Sequence, residues 1–191
     1  MKGRESGMPE QVVWEGFFNP TELLRTMGLD SHVQDAVEFG CGYGTFTIPA
    51  AKQVRGIVYA LDIEPEMIAS TTREAQRHGV QNVKTVLRDF MADGTGLENA
   101  GIDYVMLFNI LHVDQPDILL REAHRILRQG GTLGIIHWNY DPAMPRGPSM
   151  DIRPRPEQCI AWAEAAGFHR VERHDLKPYH YGFVMRKGAS P

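Results

Sequence analysis

Short apolar stretches alternate with longer amphipathic stretches over most of this sequence, and this alternation restricts the possible folds more than any other feature. Apolar runs too short for a helix are typical of buried strands, and longer periodic runs are typical of helices. Because strands that alternate with helices form a parallel sheet covered on both faces, the sequence predicts a doubly wound α/β fold. The predicted strands are residues 36–40, 56–63, 82–89, 102–109 and 132–138, and the predicted helices are residues 44–53, 64–78, 116–128 and 156–166.

Three segments lie outside this alternation. Residues 169–177 and 180–186 are predicted to form a closing antiparallel pair, and an aromatic N-terminal arm leads into a predicted helix over residues 20–27. Residues 139–155, rich in proline, form a long irregular connection of the kind that often serves as a lid. Since 191 residues suffice for one domain with a core but are few for two, we expect a single domain over residues 1–191, with an arm at 1–30 and a lid-like loop at 139–155.

Composition argues against several classes of protein. The net charge of −4 gives no sign of a basic face for nucleic acid or an anionic membrane, so neither partner is expected. The two cysteines, Cys41 and Cys159, include no C-x-x-C pair, which predicts reduced thiols, no metal site and a cytoplasmic location. The sequence has neither a signal-peptide pattern nor an apolar stretch long enough to cross a membrane.

The strongest local signal is a glycine-rich loop, EFGCGYG, which follows the first predicted strand. Three alternate glycines, Gly40, Gly42 and Gly44, let the backbone turn sharply and let a ligand approach without meeting a Cβ atom. In an open parallel sheet such a ligand binds at the carboxyl ends of the strands. A purely structural turn is the alternative interpretation of this loop.

Polar side chains also stand at the ends of the next three predicted strands. Asp62 ends the second, about 20 residues past the loop, where an acid commonly receives the ribose hydroxyls of a nucleoside ligand. Asp89, followed by Phe90, ends the third, and Asn109 ends the fourth. Taken by itself, Asp62 has an alternative explanation as a cap of the next helix, and Asp89 has one as the start of a loop. The coincidence of all four strand ends favours a nucleoside-binding edge.

Two kinds of nucleoside ligand compete for this edge. A dinucleotide site requires G-x-G-x-x-G/A, and here the third small position falls on Thr45. Glu38, inside an apolar strand, needs a partner if it is buried, and a loop that holds a zwitterionic amino acid explains it better than a dinucleotide does. The Gly-Lys-Ser/Thr signature of phosphate-binding loops is absent from the sequence.

These motifs resemble those of class I, Rossmann-like S-adenosylmethionine-dependent methyltransferases. VEFGCGYGTFTIPAA is similar to the first motif of the family, and ALDIEPEM is similar to the acidic motif that follows it. FNILHVDQPDILLREAHRILRQGGTLGIIHW is similar to the later motifs, so the resemblance covers about residues 20–138. It implies a mostly parallel seven-stranded sheet with an antiparallel last strand, and S-adenosylmethionine as the cofactor, with S-adenosylhomocysteine as the product.

The resemblance also implies roles for individual residues. The backbone of Gly40, Cys41, Gly42 and Gly44 would approach the methionyl part of the cofactor, and Glu38 would orient that loop. The remaining expected cofactor contacts follow the later strands. Asp62 would hold the ribose hydroxyls, Ile63 would pack on the adenine, and Asp89 and Phe90 would take the adenine amine and ring edge. Asn109 would lie near the cofactor's amino group, largely through its backbone.

The methyl acceptor is the least determined part of this interpretation. The closest resemblance is to small-molecule methyltransferases, and residues 109–112 lack the prolyl-prolyl-aromatic motif of enzymes that methylate DNA adenine. The titratable candidates near the methyl group are His112, His137, Tyr140 and His180. Methyl transfer mainly requires alignment of the nucleophile, so no catalytic residue is assigned.

Without a large inserted cap, the acceptor site needs walls from the arm and from residues 139–155. We expect these segments to meet above the cofactor, with Trp14, Phe17, Tyr140 or Met144 facing the acceptor. Two other functions stay open, namely a nicotinamide-dependent reductase and a non-catalytic S-adenosylmethionine-binding module. The sequence does not indicate an oligomeric state.

Overall fold

Seven strands form one sheet in the computed structural model, which describes residues 9–188 apart from the side chains of 170 and 171. The strands are β1 (Ala36–Phe39), β2 (Val58–Asp62), β3 (Val83–Leu87), β4 (Ile102–Phe108), β5 (Leu127–Trp138), β6 (Phe168–Leu176) and β7 (His180–Lys187). The helices are α1 (Gln11–Glu15), α2 (Pro20–Thr26), α3 (Thr47–Ala51), α4 (Pro65–Arg77), α5 (Phe90–Asp93), α6 (Pro116–Ile126) and α7 (Pro156–Ala165).

The order of the strands is β3-β2-β1-β4-β5-β7-β6. Strands β1 to β5 pair in parallel, whereas β7 is antiparallel to both β5 and β6. The predicted fold, a mostly parallel seven-stranded sheet with an antiparallel last strand, is therefore confirmed. The order reverses between β1 and β4, and ligands of such sheets bind in the crevice outside the carboxyl ends of the strands at that reversal.

Both faces of the sheet are buried, as the continuous apolar strands require. In β4, Val105 and Leu107 belong to one core cluster, and Tyr104 and Met106 belong to the other. The first cluster includes residues of α6 and α7, and the second includes residues of α2 and α3. The phenol of buried Tyr104 donates a hydrogen bond to the carbonyl of Met27 (2.7 Å), which ties the end of α2 to the sheet. In the described part of the chain, no helix is both long and apolar enough to cross a membrane.

Several boundaries differ from those predicted. Helix α3 begins at Thr47 rather than at residue 44, because the loop before it contains three glycines with positive φ. Strand β5 begins at Leu127, before the glycine pair that was expected to precede it, because Leu127 pairs with Ile102 of β4. The short helices α1 and α5 were not predicted. The carboxylate of Asp89 caps α5, since it accepts hydrogen bonds from the first free N–H groups of that turn.

The crossover between β3 and β4 is anchored to α6 through Glu122. This carboxylate accepts two hydrogen bonds from Thr95, through its N–H and its hydroxyl (2.6 Å each), and a bidentate pair from Arg125 (2.7 Å each). Burial opposes ionisation of Glu122, but the hydrogen bonds from Arg125 and Thr95 outweigh it and lower its pKa to about 2.

We expect Glu122→Gln to destabilise the protein by about 1–3 kcal/mol at pH 7, because it removes charge-assisted hydrogen bonds. The folded-state pKa is depressed, so this contribution is present above the ordinary pKa of 4.5 and is lost as the pH falls towards 2. Urea unfolding should therefore separate variant and wild type at pH 7 and bring them closer at pH 3. Asp117→Asn is the control, because the ion pair of Asp117 with Arg121 on the same helix is exposed. An equal loss in both variants would contradict the anchoring role.

Candidate functional site

The glycine-rich loop is hydrogen-bonded to the end of β2. The N–H groups of Gly40 and Cys41 both donate to the carbonyl of Leu61 (2.8 and 2.9 Å). The N–H of Gly42 donates to the carboxylate of Asp62 (2.9 Å), and that of Gly44 donates to the carbonyl of Cys41 (2.9 Å). The loop therefore has a fixed shape at the carboxyl edge of β1 and β2.

Asp62 connects this loop to helix α4. One carboxylate oxygen accepts from Gly42, and the other accepts from the N–H of Glu64 (3.0 Å), just before α4 begins. Burial raises the pKa of Asp62, while the backbone hydrogen bonds from Glu64 and Gly42 oppose that change. The two oxygens of Asp62 therefore hold the loop through Gly42 and the N-cap residue of α4 through Glu64.

Glu38 is buried within β1, and its partner is the hydroxyl of Thr47, which donates to the carboxyl group. Burial raises the pKa of Glu38 to about 8, the Thr47 hydrogen bond opposes this rise, and the charge of Asp62 adds to it. At neutral pH the side chain is therefore mostly protonated. The sequence indicated that Glu38 needed a partner but did not identify Thr47, which occupies the first turn of α3.

A second threonine supports the loop from α4. The hydroxyl of buried Thr71 donates to the carbonyl of Gly42 (2.9 Å) and lies 3.5 Å from the sulfur of Cys41. Burial raises the pKa of the Cys41 thiol well above its usual range. Sequence reasoning missed Thr71; the available signal was a hydroxyl side chain on the face of α4 that must pack against the sheet.

Asn109 lies at the end of β4 with φ of 55°, and its N–H donates to the carbonyl of Ile136 (2.7 Å). Both polar atoms of its side-chain amide are buried and have no hydrogen-bond partner. The next residue, Ile110, lies against the loop, because a Cβ built on Gly40 would be 2.9 Å from its Cδ1 atom. The end of β4 and the glycine-rich loop are therefore neighbours.

The predicted adenine contacts lie at the start of α5, shortly after β3, and at the residue after β2. Asp89 accepts from the N–H groups of Met91 and Ala92 (3.2 and 3.1 Å). Phe90 is only 6% exposed, and its ring packs edge-on against Phe39, with centroids 5.3 Å apart. Ile63 is half-buried directly after Asp62. The structure thus places the Phe90 ring in the core, because Asp89 starts a helical turn that directs it inward.

The arm and the loop 139–155 both contact Trp138 at the end of β5. The ring of Phe17 packs edge-on against Trp138 (5.1 Å between centroids), and a Cβ on Gly147 would be 2.8 Å from the Trp138 ring. Trp14 packs instead against Phe18 of the same arm (4.8 Å). Residues 1–8 of the predicted arm lie outside the described residues.

Loop 139–155 is organised around the buried guanidinium of Arg153. This group donates to four carbonyls of the loop, those of Pro148, Asn139, Asp141 and Arg146, at 2.9–3.2 Å. Within the same loop, the guanidinium of Arg155 lies 3.8 Å from the ring centroid of Tyr140. A loop held by one side chain through so many carbonyls adopts a defined conformation.

The residues at this edge fit S-adenosylmethionine better than a dinucleotide. A dinucleotide places its diphosphate on free N–H groups at a helix N-terminus. In the loop before α3, the N–H groups of Gly40, Cys41, Gly42 and Gly44 already have partners within the protein, so these four donors are not available to a diphosphate. The unpaired amide of Asn109 offers both a donor and an acceptor to the amino-acid part of a cofactor, and the Asp62 carboxylate has lone pairs left for ribose hydroxyls.

We expect Gly40→Ala to weaken binding of S-adenosylhomocysteine about tenfold or more, because the new methyl group strains the backbone and displaces Ile110. Gly130→Ala is the matched control, since φ is +70° there and +74° at Gly40, and a Cβ at Gly130 has open space. The backbone strain, about 1–2 kcal/mol, is common to both variants. Calorimetric titration compares their affinities, and equal affinities would contradict the close approach at Gly40.

Comparisons with known proteins give a consistent result. The model of a family described as a methyltransferase domain matches residues 36–131, which are 96 of the 191 residues. The 2-methyl-6-phytyl-1,4-hydroquinone methyltransferase 1 of Oryza sativa subsp. japonica is 25% identical over 189 residues, covering 93% of this chain and 56% of that protein. The aklanonic acid methyltransferase of Streptomyces sp. (strain C5) is 30% identical over 100 residues, covering 51% and 44% respectively.

This chain therefore spans about half the length of the curated relatives it matches. Among solved structures, a SAM-dependent methyltransferase from Aquifex aeolicus superposes with a TM-score of 0.82 at 22% identity. The superposition covers 93% of this chain and 94% of that one. At this level of identity the likeness establishes the fold, and the family match carries the assignment.

Proposed function

Because this chain belongs to the family of methyltransferase domains that use S-adenosylmethionine, we propose that it transfers a methyl group from that cofactor to a small-molecule acceptor. The observation that carries the proposal is the network in which Asp62 holds the glycine-rich loop through Gly42, beside the unpaired amide of Asn109. The two curated relatives described above, named for a hydroquinone and for aklanonic acid, support a small-molecule acceptor.

Each residue at the edge has a proposed task. Gly40, Cys41, Gly42 and Gly44 bring the backbone close to the methionyl part of the cofactor, while Asp62 accepts hydrogen bonds from the ribose. Further cofactor contacts are proposed for the side chains at the later strand ends. They comprise Ile63 beside the adenine, Asp89 and Phe90 at its amine and edge, and Asn109 at the amino group. Glu38 makes no such contact and supports the loop from behind.

The bound cofactor supplies a methyl group activated by its positive sulfonium, and the thioether S-adenosylhomocysteine leaves. The protein's main contribution is to align the acceptor with that methyl group and to exclude water. We assign this role to the arm and to loop 139–155, within a single domain over residues 1–191. The contacts of Phe17 and Gly147 with Trp138 support a shared cover above the end of β5.

A cytoplasmic location is part of the same proposal. Cys41 and Cys159 are both free and buried, as is usual for thiols in a reducing compartment.

The test follows the methyl group itself. Protein is incubated with S-adenosylmethionine labelled in the methyl group and with a cell extract, and the label is then measured in the small-molecule, protein and nucleic-acid fractions. We expect label in the small-molecule fraction, with formation of S-adenosylhomocysteine that stops in Asp62→Asn. Label confined to protein or nucleic acid would overturn the acceptor class, and binding without transfer would favour a non-catalytic module.

We expect Arg153→Met to reduce methyl transfer at least tenfold while cofactor affinity changes less than threefold. Methionine replaces the aliphatic part of the arginine side chain. It lacks the guanidinium donors that hold four carbonyls of loop 139–155. Arg146→Met is the control in the same loop, because the side chain of Arg146 is exposed. Turnover and calorimetric titration with S-adenosylhomocysteine separate the two effects, and a variant with unchanged turnover would contradict the covering role of the loop.

A further inference from the structure

Two histidines at the ends of neighbouring strands have buried ring nitrogens without partners. His137, the second-last residue of β5, is fully buried, and neither its Nδ1 nor its Nε2 atom makes a hydrogen bond. His112, in the segment after β4, is 8% exposed, and its Nδ1 atom is also buried and unpaired. The two rings are 5.7 Å apart in an edge-to-face arrangement, and we call them the histidine pair.

Unpaired polar atoms of this kind are costly in a folded protein. A buried donor or acceptor loses its hydrogen bonds to water on folding, and most native proteins replace them. The histidine pair keeps three such atoms close together, where leucine or phenylalanine would pack without that cost. A ligand that supplies the missing hydrogen bonds explains why polar rings occupy these positions.

The histidine pair lies next to the proposed cofactor edge. The N–H of Asn109 donates to the carbonyl of Ile136, which places His137 beside the residue assigned to the cofactor's amino group. His112 follows Asn109 by three residues. On the other side, the ring of Tyr181 stacks on His137, and its hydroxyl donates to the carbonyl of Pro154 at the end of loop 139–155 (3.1 Å).

The electrostatic surroundings restrict what can bind there. Burial lowers the pKa of His112 to about 4 and lowers that of His137 well below its usual value. The charged or titratable groups that act on His137 are His112, His180 and Arg153, and none of these three is a carboxylate. Two neutral rings beside a guanidinium disfavour an ammonium group, whereas each neutral imidazole offers one donor and one acceptor.

We propose that the histidine pair is the polar part of the acceptor site and selects an uncharged, hydroxyl-bearing acceptor over an amine. A hydroxyl group is the complement of a neutral imidazole, because it donates to the bare nitrogen of one ring and accepts from the N–H of the other. This inference rests on the proposed function, since it names the acceptor class of the same site. Both histidines are specificity-determining in it, and no proton transfer is assigned to them.

The first test measures stability without any ligand. If the ring nitrogens serve a ligand, His112→Leu and His137→Leu should unfold within about 2 °C of wild type or at a higher temperature, because leucine removes an unpaired polar group. If the rings serve the fold, both variants should unfold several degrees lower, and the proposal fails. His32→Leu is the control, because His32 is exposed in the turn before β1.

The second test measures binding, by calorimetric titration in saturating S-adenosylhomocysteine. The probes are hydroquinone, its dimethyl ether 1,4-dimethoxybenzene, and the ammonium ion of benzylamine. We expect hydroquinone to bind wild type and His32→Leu at least tenfold more tightly than either other probe, and this preference to disappear in His112→Leu and His137→Leu. Equal binding of hydroquinone and its ether, a preference for the amine, or no binding of hydroquinone would overturn the proposal.

The two proposals fail in different ways in this experiment. If S-adenosylhomocysteine does not bind wild type, the proposed function fails together with the acceptor site. If it binds wild type and both leucine variants equally while hydroquinone shows no preference, only the assignment of the histidine pair fails.

Discussion

Asp62→Asn should weaken binding of S-adenosylhomocysteine about a hundredfold. The carboxylate now accepts from the N–H groups of Gly42 and Glu64, one on each oxygen (2.9 and 3.0 Å). Asparagine has an NH2 group in place of one carboxylate oxygen. Because this group donates and does not accept, the N–H of either Gly42 or Glu64 loses its partner. Hydrogen bonds to a charged group contribute about 1.5–3 kcal/mol each, and the variant also loses the charge proposed to receive the ribose hydroxyls.

The chain offers a matched control for this substitution. Asp30 also accepts a hydrogen bond from the N–H two residues further on, that of His32 (2.7 Å), in an exposed turn. Asp30→Asn therefore makes the same chemical change in the same local geometry, away from the carboxyl edge of the sheet. Calorimetric titration should show wild-type affinity for Asp30→Asn. An affinity within a factor of three of wild type for Asp62→Asn would contradict the role given to Asp62.

Glu38→Gln should make the protein more stable at high pH and leave its stability nearly unchanged at low pH. Burial raises the pKa of Glu38 from 4.5 to about 8 in the folded protein. The contribution of a group with a raised folded-state pKa is fully present below 4.5 and is lost progressively as the pH rises to about 8. Glutamine keeps an oxygen that accepts from Thr47 and cannot ionise, so the variant avoids this loss.

The expected gain at pH 9 is about 5 kcal/mol, from a pKa of 4.5 in the unfolded chain and about 8 in the folded protein, and it should shrink towards zero at pH 4.5. Urea unfolding of wild type and variant over this pH range measures it. Glu164→Gln, a change at an exposed position on α7, is the control and should follow wild type throughout. If the stabilities of Glu38→Gln and wild type run parallel from pH 4.5 to 9, Glu38 does not carry the buried, protonated carboxyl described above.

The parallel core of the sheet could be predicted because its strands are short apolar runs, which the structure buries on both faces. The position of β5 could not, because the pairing of Leu127 with Ile102 joins residues that are distant in sequence and extends the strand through its glycine pair. Helix α5 could not be predicted for a different reason. It is a single turn capped by Asp89 and has too few residues for a periodic pattern.

At the candidate site, the sequence indicated which polar residues stand at the strand ends. It did not identify the groups that form hydrogen bonds with them. Asp62 was predicted from its spacing to the loop, and the structure joins it to Gly42. Thr47 and Thr71 were missed, because the helix pattern indicates which face is buried but not which polar group a hydroxyl on that face will contact. Their hydroxyls become partners of Glu38 and Gly42 only when α3 and α4 pack beside β1.

The most direct test of the central claim compares thermal unfolding with S-adenosylmethionine, S-adenosylhomocysteine and the nicotinamide dinucleotides. A ligand at 100 times its dissociation constant adds about 2.7 kcal/mol to the free energy of unfolding, or about 5–10 °C for a domain of this size. We predict this shift for the first two ligands and none for the dinucleotides. A shift with the dinucleotides alone, or with no ligand, would contradict the assignment of the glycine-rich loop and of Asp62.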